Sequence, residues 1–313
     1  MNNDMLLRRP AACVSLLAGV FCLQIGQAQS GITVAGFGYQ NPGKTIIAAP
    51  GQVMTVSVFG VAGRFPGAFF PISGSSGLPT VVESMSVNFV QGPVTDQLPI
   101  RGVQQSSCPA TGDCSPATTI TIQIPYDLNP DSGVPATLEI DESGTLIAEV
   151  DIKAVEDSVH IINTCDQTGI YLSVAYQVPA GTCVPMVEHA NGQLISASLP
   201  AMPGETLLLW AFGLGAITPP SPIPCCGSSF QIPQAVQPFT IGFSYIDPTQ
   251  VPLQRLAQVT PSFVGMVGEG TYQVEFVVPP APASLAPCSS GSGNVKLLLS
   301  GPNSADGAGI CLK

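Results

Sequence analysis

Two histidines, eight cysteines beyond the N-terminal region and a scatter of carboxylates are the side chains of this 313-residue sequence suited to chemistry. A hydrolytic triad needs a histidine beside an activated serine. His160 and His189 are present, but no G-x-S-x-G elbow accompanies them, and Gly74-Ser75-Ser76-Gly77 has the wrong spacing and reads as a loop. His160 reads as a structural or surface residue and His189 as a hairpin residue. Neither sits in an H-E-x-x-H pattern or similar zinc spacing, and no glycine loop opens a helix to cradle phosphate. Paired carboxylates would suit a glycosidase. Asp141 with Glu142, and Glu156 with Asp157, are neighbours that a strand sends to opposite faces, so they fit a turn and a domain boundary. Glu149 and Asp151 share a face with Lys153, as on a solvated strand exterior. Asp127, Asn129 and Asp131 alternate oxygen atoms around a Pro-Ser-Gly turn, a spacing that suits calcium and equally a polar β-turn. No enzyme activity, metal or cofactor is expected from these patterns.

The cysteines point to staples instead. Cys108, Cys114, Cys165, Cys183, Cys225, Cys226, Cys288 and Cys311 form an even set with no C-x2-C pair, which in an exported chain reads as four disulfides. Spacing favours Cys108–Cys114 and Cys165–Cys183, leaving Cys225 and Cys226 to reach Cys288 and Cys311 in either order. Export is the expectation from residues 1–28. Arg8 and Arg9 precede a mostly apolar run from Ala11 to Ile25, and Gly26-Gln27-Ala28 places small residues at −3 and −1, so cleavage would leave Gln29 first. The run is short and interrupted for a membrane span, and no later run replaces it. The expected location is secreted or periplasmic, without membrane insertion.

These residues need a scaffold, and composition describes one. Charged residues make up 9% of the chain while 45% are apolar, and 33 Gly with 31 Pro supply roughly one residue in five. That combination suits a folded chain of short strands and many turns. The net charge of −11 repels a phosphate backbone, which excludes nucleic acid as a partner. The strands recur. Ala49-Pro50-Gly51 leads to Ser57-Val58-Phe59-Gly60-Val61, and Met202-Pro203-Gly204 leads to Trp210-Ala211-Phe212-Gly213-Leu214, at an offset of 153. Met85 to Phe89 matches Phe239 to Phe243, and Ile120 to Pro125 matches Val274 to Pro279, both at 154. Three strands in one order at nearly constant spacing indicate an internal duplication. Period-two alternation places Met54, Val56, Val58, Ile120, Ile122 and Ile124 inward. Turn chemistry appears at 129–133, 141–144 and Asn191-Gly192. The expected fold is all-β, two tandem sandwiches over 29–157 and 158–313. Residues 159–200 form a hairpin-like prologue to the second.

The copies differ on one face. Leu208 and Trp210 stand where the first copy has Thr55 and Ser57, with Phe212 matching Phe59. A sheet face that turns apolar is covered by something: the prologue, the other domain, or a ligand or partner surface at Leu208, Trp210 and Phe212.

His189-Ala190-Asn191-Gly192, Pro200-Ala201-Met202-Pro203-Gly204-Glu205 and Phe212-Gly213-Leu214-Gly215 resemble an uncharacterised C-terminal domain family recurring in secreted acidobacterial proteins. Pro261-Ser262-Phe263-Val264-Gly265, Tyr272-Gln273-Val274 and Pro279 are similar to its closing signature. The likeness covers about 160–313 and, more weakly, 45–155; the family shows Asp where Asn191 stands. It implies an exported immunoglobulin-like sandwich, often appended to other modules, and brings no catalytic residues with it. The expected role is a binding or structural module for an envelope or extracellular polysaccharide or another secreted protein. One alternative is a structural spacer or assembly subunit. Another is a carboxylate hydrolase, which would need two carboxyls converging in a cleft.

Overall fold

The computed structural model describes residues 34–37, 45–59, 61, 78–105, 117–164, 166, 183–218, 232–245, 255–268, 270–288 and 293–313. Segment 1–28 and Cys108, Cys114, Cys165, Cys225 and Cys226 lie outside them. The described chain is all-β, with one 3-10 turn and no α-helix. The first sandwich comprises β1 (Val34–Phe37), β2 (Thr45–Ala48), β3 (Val53–Phe59), β4 (Val81–Val82), β5 (Met85–Gln91), β6 (Val94–Gln97), β7 (Ile100–Gln105), β8 (Ala117–Gln123), β9 (Ala136–Glu142) and β10 (Thr145–Ala154). The second comprises β11 (His160–Ile161), β12 (Val187–His189), β13 (Thr206–Phe212), β14 (Ile217–Thr218), β15 (Gln234–Ala235), β16 (Thr240–Tyr245), β17 (Arg255–Val259), β18 (Phe263–Gly268), β19 (Thr271–Val277), β20 (Val295–Ser300) and β21 (Ala305–Ile310).

One sheet of the first sandwich runs β1-β3-β8-β7, and the other runs β2-β10-β9-β5, with β4 and β6 both on β5. In the second, β11-β13-β19-β18 continues to β15 and β14, facing β17-β16-β20-β21. Both pairs of sheets have an immunoglobulin-like strand order, the second lacking a full strand in the place of β2. One register is common to the two sandwiches. Val53 lies opposite Gln123 and Thr206 opposite Val277, so the offsets of 153 and 154 hold across the pairing. Ala48 pairs in parallel with Ala154, and the counterpart is a parallel bridge between Ala201 and Leu312.

Inward positions build two separate cores. Met54, Val56, Val58, Ile120, Ile122 and Ile124 are buried in the first, and Leu207, Leu209, Ala211, Val274 and Phe276 in the second. Burying each large aliphatic side chain contributes roughly 1.5–3 kcal/mol. A third, smaller cluster joins Val53 of the first sandwich to Ile162, Met186 and Phe212 of the second. The turns fall where the sequence places them. Asn129 caps the 3-10 turn Pro130–Ser132, Ser143-Gly144 closes the β9–β10 hairpin with positive φ at both residues, and Gly192 N donates to His189 O at 2.9 Å.

The stretch after the first sandwich is more than a prologue. β11 occupies the place of β1 and pairs His160 with Phe212. The chain then departs, and 25 residues (162–186) later β12 rejoins β13, pairing Val187 with Leu209. The second sandwich thus carries an insertion within its first strand. Both ends of that insertion bind the Trp210 backbone: Ile162 N donates to Trp210 O at 2.9 Å, and Trp210 N donates to Met186 O at 3.0 Å.

Candidate functional site

The apolar outer face of β13 is the site the sequence singles out, and the structure divides it. Phe212 is fully buried, whereas Leu208 and Trp210 are half-buried. Phe212 therefore cannot touch a ligand, which corrects its place in the expected binding face. The inserted segment lays Ile162 and Met186 on it, and Val53 arrives from the first sandwich. The Trp210 indole N–H is buried and has no hydrogen-bond acceptor among the described residues. Beyond the covered part the face continues outward. Trp210 lies opposite Gln273, Gln273 opposite Gly265, and the Phe263 ring covers Gly265 where a β-carbon would otherwise stand. Gln273 Nε2 donates to Glu275 Oε1 at 2.8 Å.

The joint beside this face is built from residues that sequence pattern does not link. Tyr126 Oη donates to Met266 Sδ at 2.8 Å and accepts from Gly270 N at 3.0 Å and Gln123 Nε2 at 2.7 Å. Gly270 has φ +66°, and a β-carbon there would lie 2.6 Å from Val53 Cγ2 and 2.7 Å from Gly51 O, so only glycine lets the two ends meet. The linker is strapped to both sandwiches: Val155 N donates to Ala48 O at 3.0 Å and Ser158 N to Gly213 O at 2.8 Å. Gly213 and Gly215 have positive φ, and β-carbons on them would strike the carbonyls of Ser158 and Glu156. This gives Phe212-Gly213-Leu214-Gly215 its physical meaning: the glycines make room for the linker.

His160 is clasped between two carboxylates. Its Nε2 lies 2.7 Å from Asp166 Oδ2 and its Nδ1 3.2 Å from Asp306 Oδ2, with the ring stacked on Phe212 at a 6.4 Å centroid distance. Burial alone would lower its pKa, but the bonds to Asp166 and Asp306 reverse this and raise it to about 9. Burial likewise opposes ionisation of Asp306, yet His160 and the Ile161 and Gly307 amides hold its pKa below the ordinary value. A general base needs a ring nitrogen free to take a proton, and here both nitrogens donate to carboxylates. His160 fastens β11 to β21 across the two sheets.

His189 bonds Glu205 through Nδ1, and its Nε2 lies 3.3 Å from Leu199 O. Glu205 Oε2 accepts from Met202 N at 2.9 Å. Burial works against the Glu205 carboxylate, but these two donors keep its pKa below the ordinary value. The pair locks the hairpin at 189–193 to the turn before β13.

The remaining candidates lie on turns, the linker and strand exteriors. Asp157 is buried, accepts from Asn303 N at 2.8 Å and bonds Ser304 Oγ, so it ties the linker to the β20–β21 turn. Asp141 accepts from Asn88 Nδ2 at 2.8 Å. Glu149, Asp151 and Lys153 are exposed on β10, and register brings Glu139 opposite Glu149, a pair that local sequence could not reveal. Asn129 Oδ1 accepts from Asp131 N at 3.0 Å, and the Gln91 amide donates to Asn129 O at 3.0 Å, so this turn is held by its own bonds. Among the described residues no group of three or more His, Cys, Asp or Glu is placed to hold a metal ion.

The disulfides need one correction. Cys288 and Cys311 bond to each other, with Cα atoms 5.5 Å apart, and so neither reaches Cys225 or Cys226. The physical reason is the β20–β21 hairpin: Asn294 Nδ2 donates to Ala286 O at 2.7 Å and to Leu312 O at 2.8 Å, bringing both strand ends together. Cys183 is disulfide-bonded to a partner outside the described residues. No described helix is long and apolar enough to cross a membrane.

No protein-family model matches the chain, and no match is found among curated proteins.

Proposed function

We propose that this chain is an exported, non-catalytic structural module. It is a rigidly coupled pair of immunoglobulin-like sandwiches, derived by duplication of one, that holds whatever it is joined to at a fixed spacing. One observation carries the reading. The apolar patch that distinguishes the second copy is occupied by the chain's own insertion and by Val53, which uses the face as a joint between sandwiches. The matched register supports the duplication, and the disulfide Cys288–Cys311 suits an oxidising compartment. The test is backbone amide relaxation of both sandwiches. One shared correlation time is expected, whereas separate times would reject a rigid spacer, and release of reducing ends from envelope glycans would reject the non-catalytic assignment.

A second reading rests on the outward row Trp210, Gln273 and Phe263. Two half-buried aromatic rings flank an amide two strands apart, roughly 10 Å at sheet spacing, a pattern suited to stacking and hydrogen bonding along a polysaccharide. Co-sedimentation with insoluble glycans, lost in Phe263→Ala, would favour it. An absence of binding to any glycan leaves the spacer.

A further inference from the structure

The outer faces of the two sandwiches differ along one cross-strand row. In the first, Ser57 lies opposite Thr119 and Thr119 opposite Gln104, a row of hydroxyl and amide side chains. In the second, Trp210 lies opposite Gln273, Gln273 opposite Gly265, and Gly265 opposite Gln234. Gly265 makes room for a second ring. A β-carbon there would stand 2.1 Å from Phe263 Cζ and 2.8 Å from its Cε1, so glycine is what lets the Phe263 ring lie on the row. No positive φ calls for glycine at this position, which leaves the ring as its reason.

Trp210, Gln273 and Phe263 are half-buried and Gln234 is exposed, so the row runs from the joint out to solvent. The two rings stand two strands apart, roughly 10 Å, with one amide between them and another beyond. Such a row suits a sugar chain, whose pyranose C–H faces pack on aromatic rings while its hydroxyls bond amides. The spacing selects a linkage. In an extended 1,4-β-linked chain each pyranose is turned over relative to the last, so every second ring offers the same face, at about the distance of two strand spacings. Coiled chains with 1,3-β or 1,4-α links do not repeat a face at that interval. Charge selects as well: the net −11 of the chain, and Glu275 accepting from Gln273 Nε2 at 2.8 Å, disfavour polyanionic glycans.

We infer that the row of Trp210, Gln273, Phe263 and Gln234 binds an uncharged, extended 1,4-β-linked pyranose chain laid across the strands. Trp210 and Phe263 seat alternate sugars, and Gln273 bonds the sugar between them. Polymers of glucose and of N-acetylglucosamine share this geometry, and the experiment separates them. The inference rests on the glycan reading above but fails separately from it, since a chain that binds glycans of every linkage alike keeps that reading and loses this one.

The experiment is isothermal titration of the full chain with 1,4-β-linked oligomers of glucose and, separately, of N-acetylglucosamine, two to six units long. Two rings on alternate sugars need three sugars, so affinity should rise about tenfold or more from dimer to trimer and little beyond. Phe263→Leu and Gly265→Ala should each abolish that step, the first by removing the flat ring and the second by pushing it off the row. Leu146→Ala, at an exposed apolar site of the first sandwich (50%), should leave the step unchanged. The two variants act by different means, so a folding defect in one does not decide the outcome. Equal affinity for dimer and trimer, a step that persists in both variants, or equal binding of 1,3-β and 1,4-α oligomers would overturn the inference. An absence of binding to any glycan would overturn it together with the glycan reading.

Discussion

The two sandwiches share the strand register at Val53 and Thr206 and the backbone bonds of the turns before them, yet they meet their surroundings differently. On the outer face of the first, Thr55 and Thr121 share a hydroxyl hydrogen bond at 3.0 Å beside Ser57. On the second, the same strand position bears Trp210, wrapped by Ile162 and Met186 from a segment the first copy lacks. Inward residues and backbone pairing fix the sandwich; outward residues and the insertion decide how one sandwich is coupled to the next. Two sandwiches of one architecture can thus differ in whether one face serves as a joint.

The strongest way to break the comparison is to place one charge at equivalent positions. Val53→Asp should destabilise the chain by about 3 kcal/mol or more by burying an unpaired carboxylate in the joint, and split a single thermal unfolding transition into two. Thr206→Asp, exposed in the second copy, should fall within about 0.5 kcal/mol of wild type. Equal losses in calorimetry would mean that the joint does not distinguish the two turns.

Alkaline pH sharpens the contrast next, because both histidines of the chain lie in the second sandwich. The folded pKa of His160, about 9, stands above its ordinary 6.5. Its contribution is therefore full below about pH 6.5 and is lost as pH rises through 9, at most about 3 kcal/mol. The lowered Asp306 pKa gives the opposite limb, with stability lost as pH falls through its folded value. Urea midpoints across pH 6–10 should decline for the second sandwich and flatten in His160→Gln. An unchanged slope in that variant would remove the clasp as the cause.

The smallest expected effect concerns the cap of these turns, Gln52 Oε1 accepting from Ala49 N at 2.7 Å as Glu205 Oε2 accepts from Met202 N at 2.9 Å. Glu205→Gln recreates the first copy's Gln52, keeping the bond to the 202 amide while discarding the ion pair with His189. A loss of about 1 kcal/mol is expected in chemical denaturation. A loss several times larger would show that the His189 pairing, rather than the turn, organises this end.

Much of the fold is legible in the amino-acid sequence. The spacings of 153 and 154 reappear in one strand register, Val53 with Gln123 and Thr206 with Val277, and period-two alternation names Met54, Val56, Val58 and the isoleucines at 120, 122 and 124 as core. The resemblance motifs are legible as turns, but their partners are not. His189 with Glu205, His160 with Asp166 and Asp306, and Val53 with Phe212 meet through folding over distances that local pattern does not encode. The joint is hidden for the same reason. Val53 reads as an ordinary strand start, and Tyr126 as part of a turn, until Gly270 is brought against them. Cys288–Cys311 differs from expectation because a hairpin, not cysteine order, sets which sulfurs approach.

The parallel pairing of β2 with β10 has a mechanical consequence. Tension drawn along the chain pulls Thr45–Ala48 towards the N-terminus and Asp151–Ala154 towards the linker, and because the strands run in the same direction these pulls oppose each other along their length. The ladder is loaded in shear, all its rungs straining together, whereas a hairpin pulled from its open end parts one rung at a time. In the second sandwich the equivalent contact is the single Ala201–Leu312 bridge, with Cys311 beside it covalently tied to Cys288. Under load the first sandwich holds by a sheared ladder of four paired residues, whereas the second has one bridge there, and its staple only shortens the C-terminal hairpin that can be drawn out once that bridge parts.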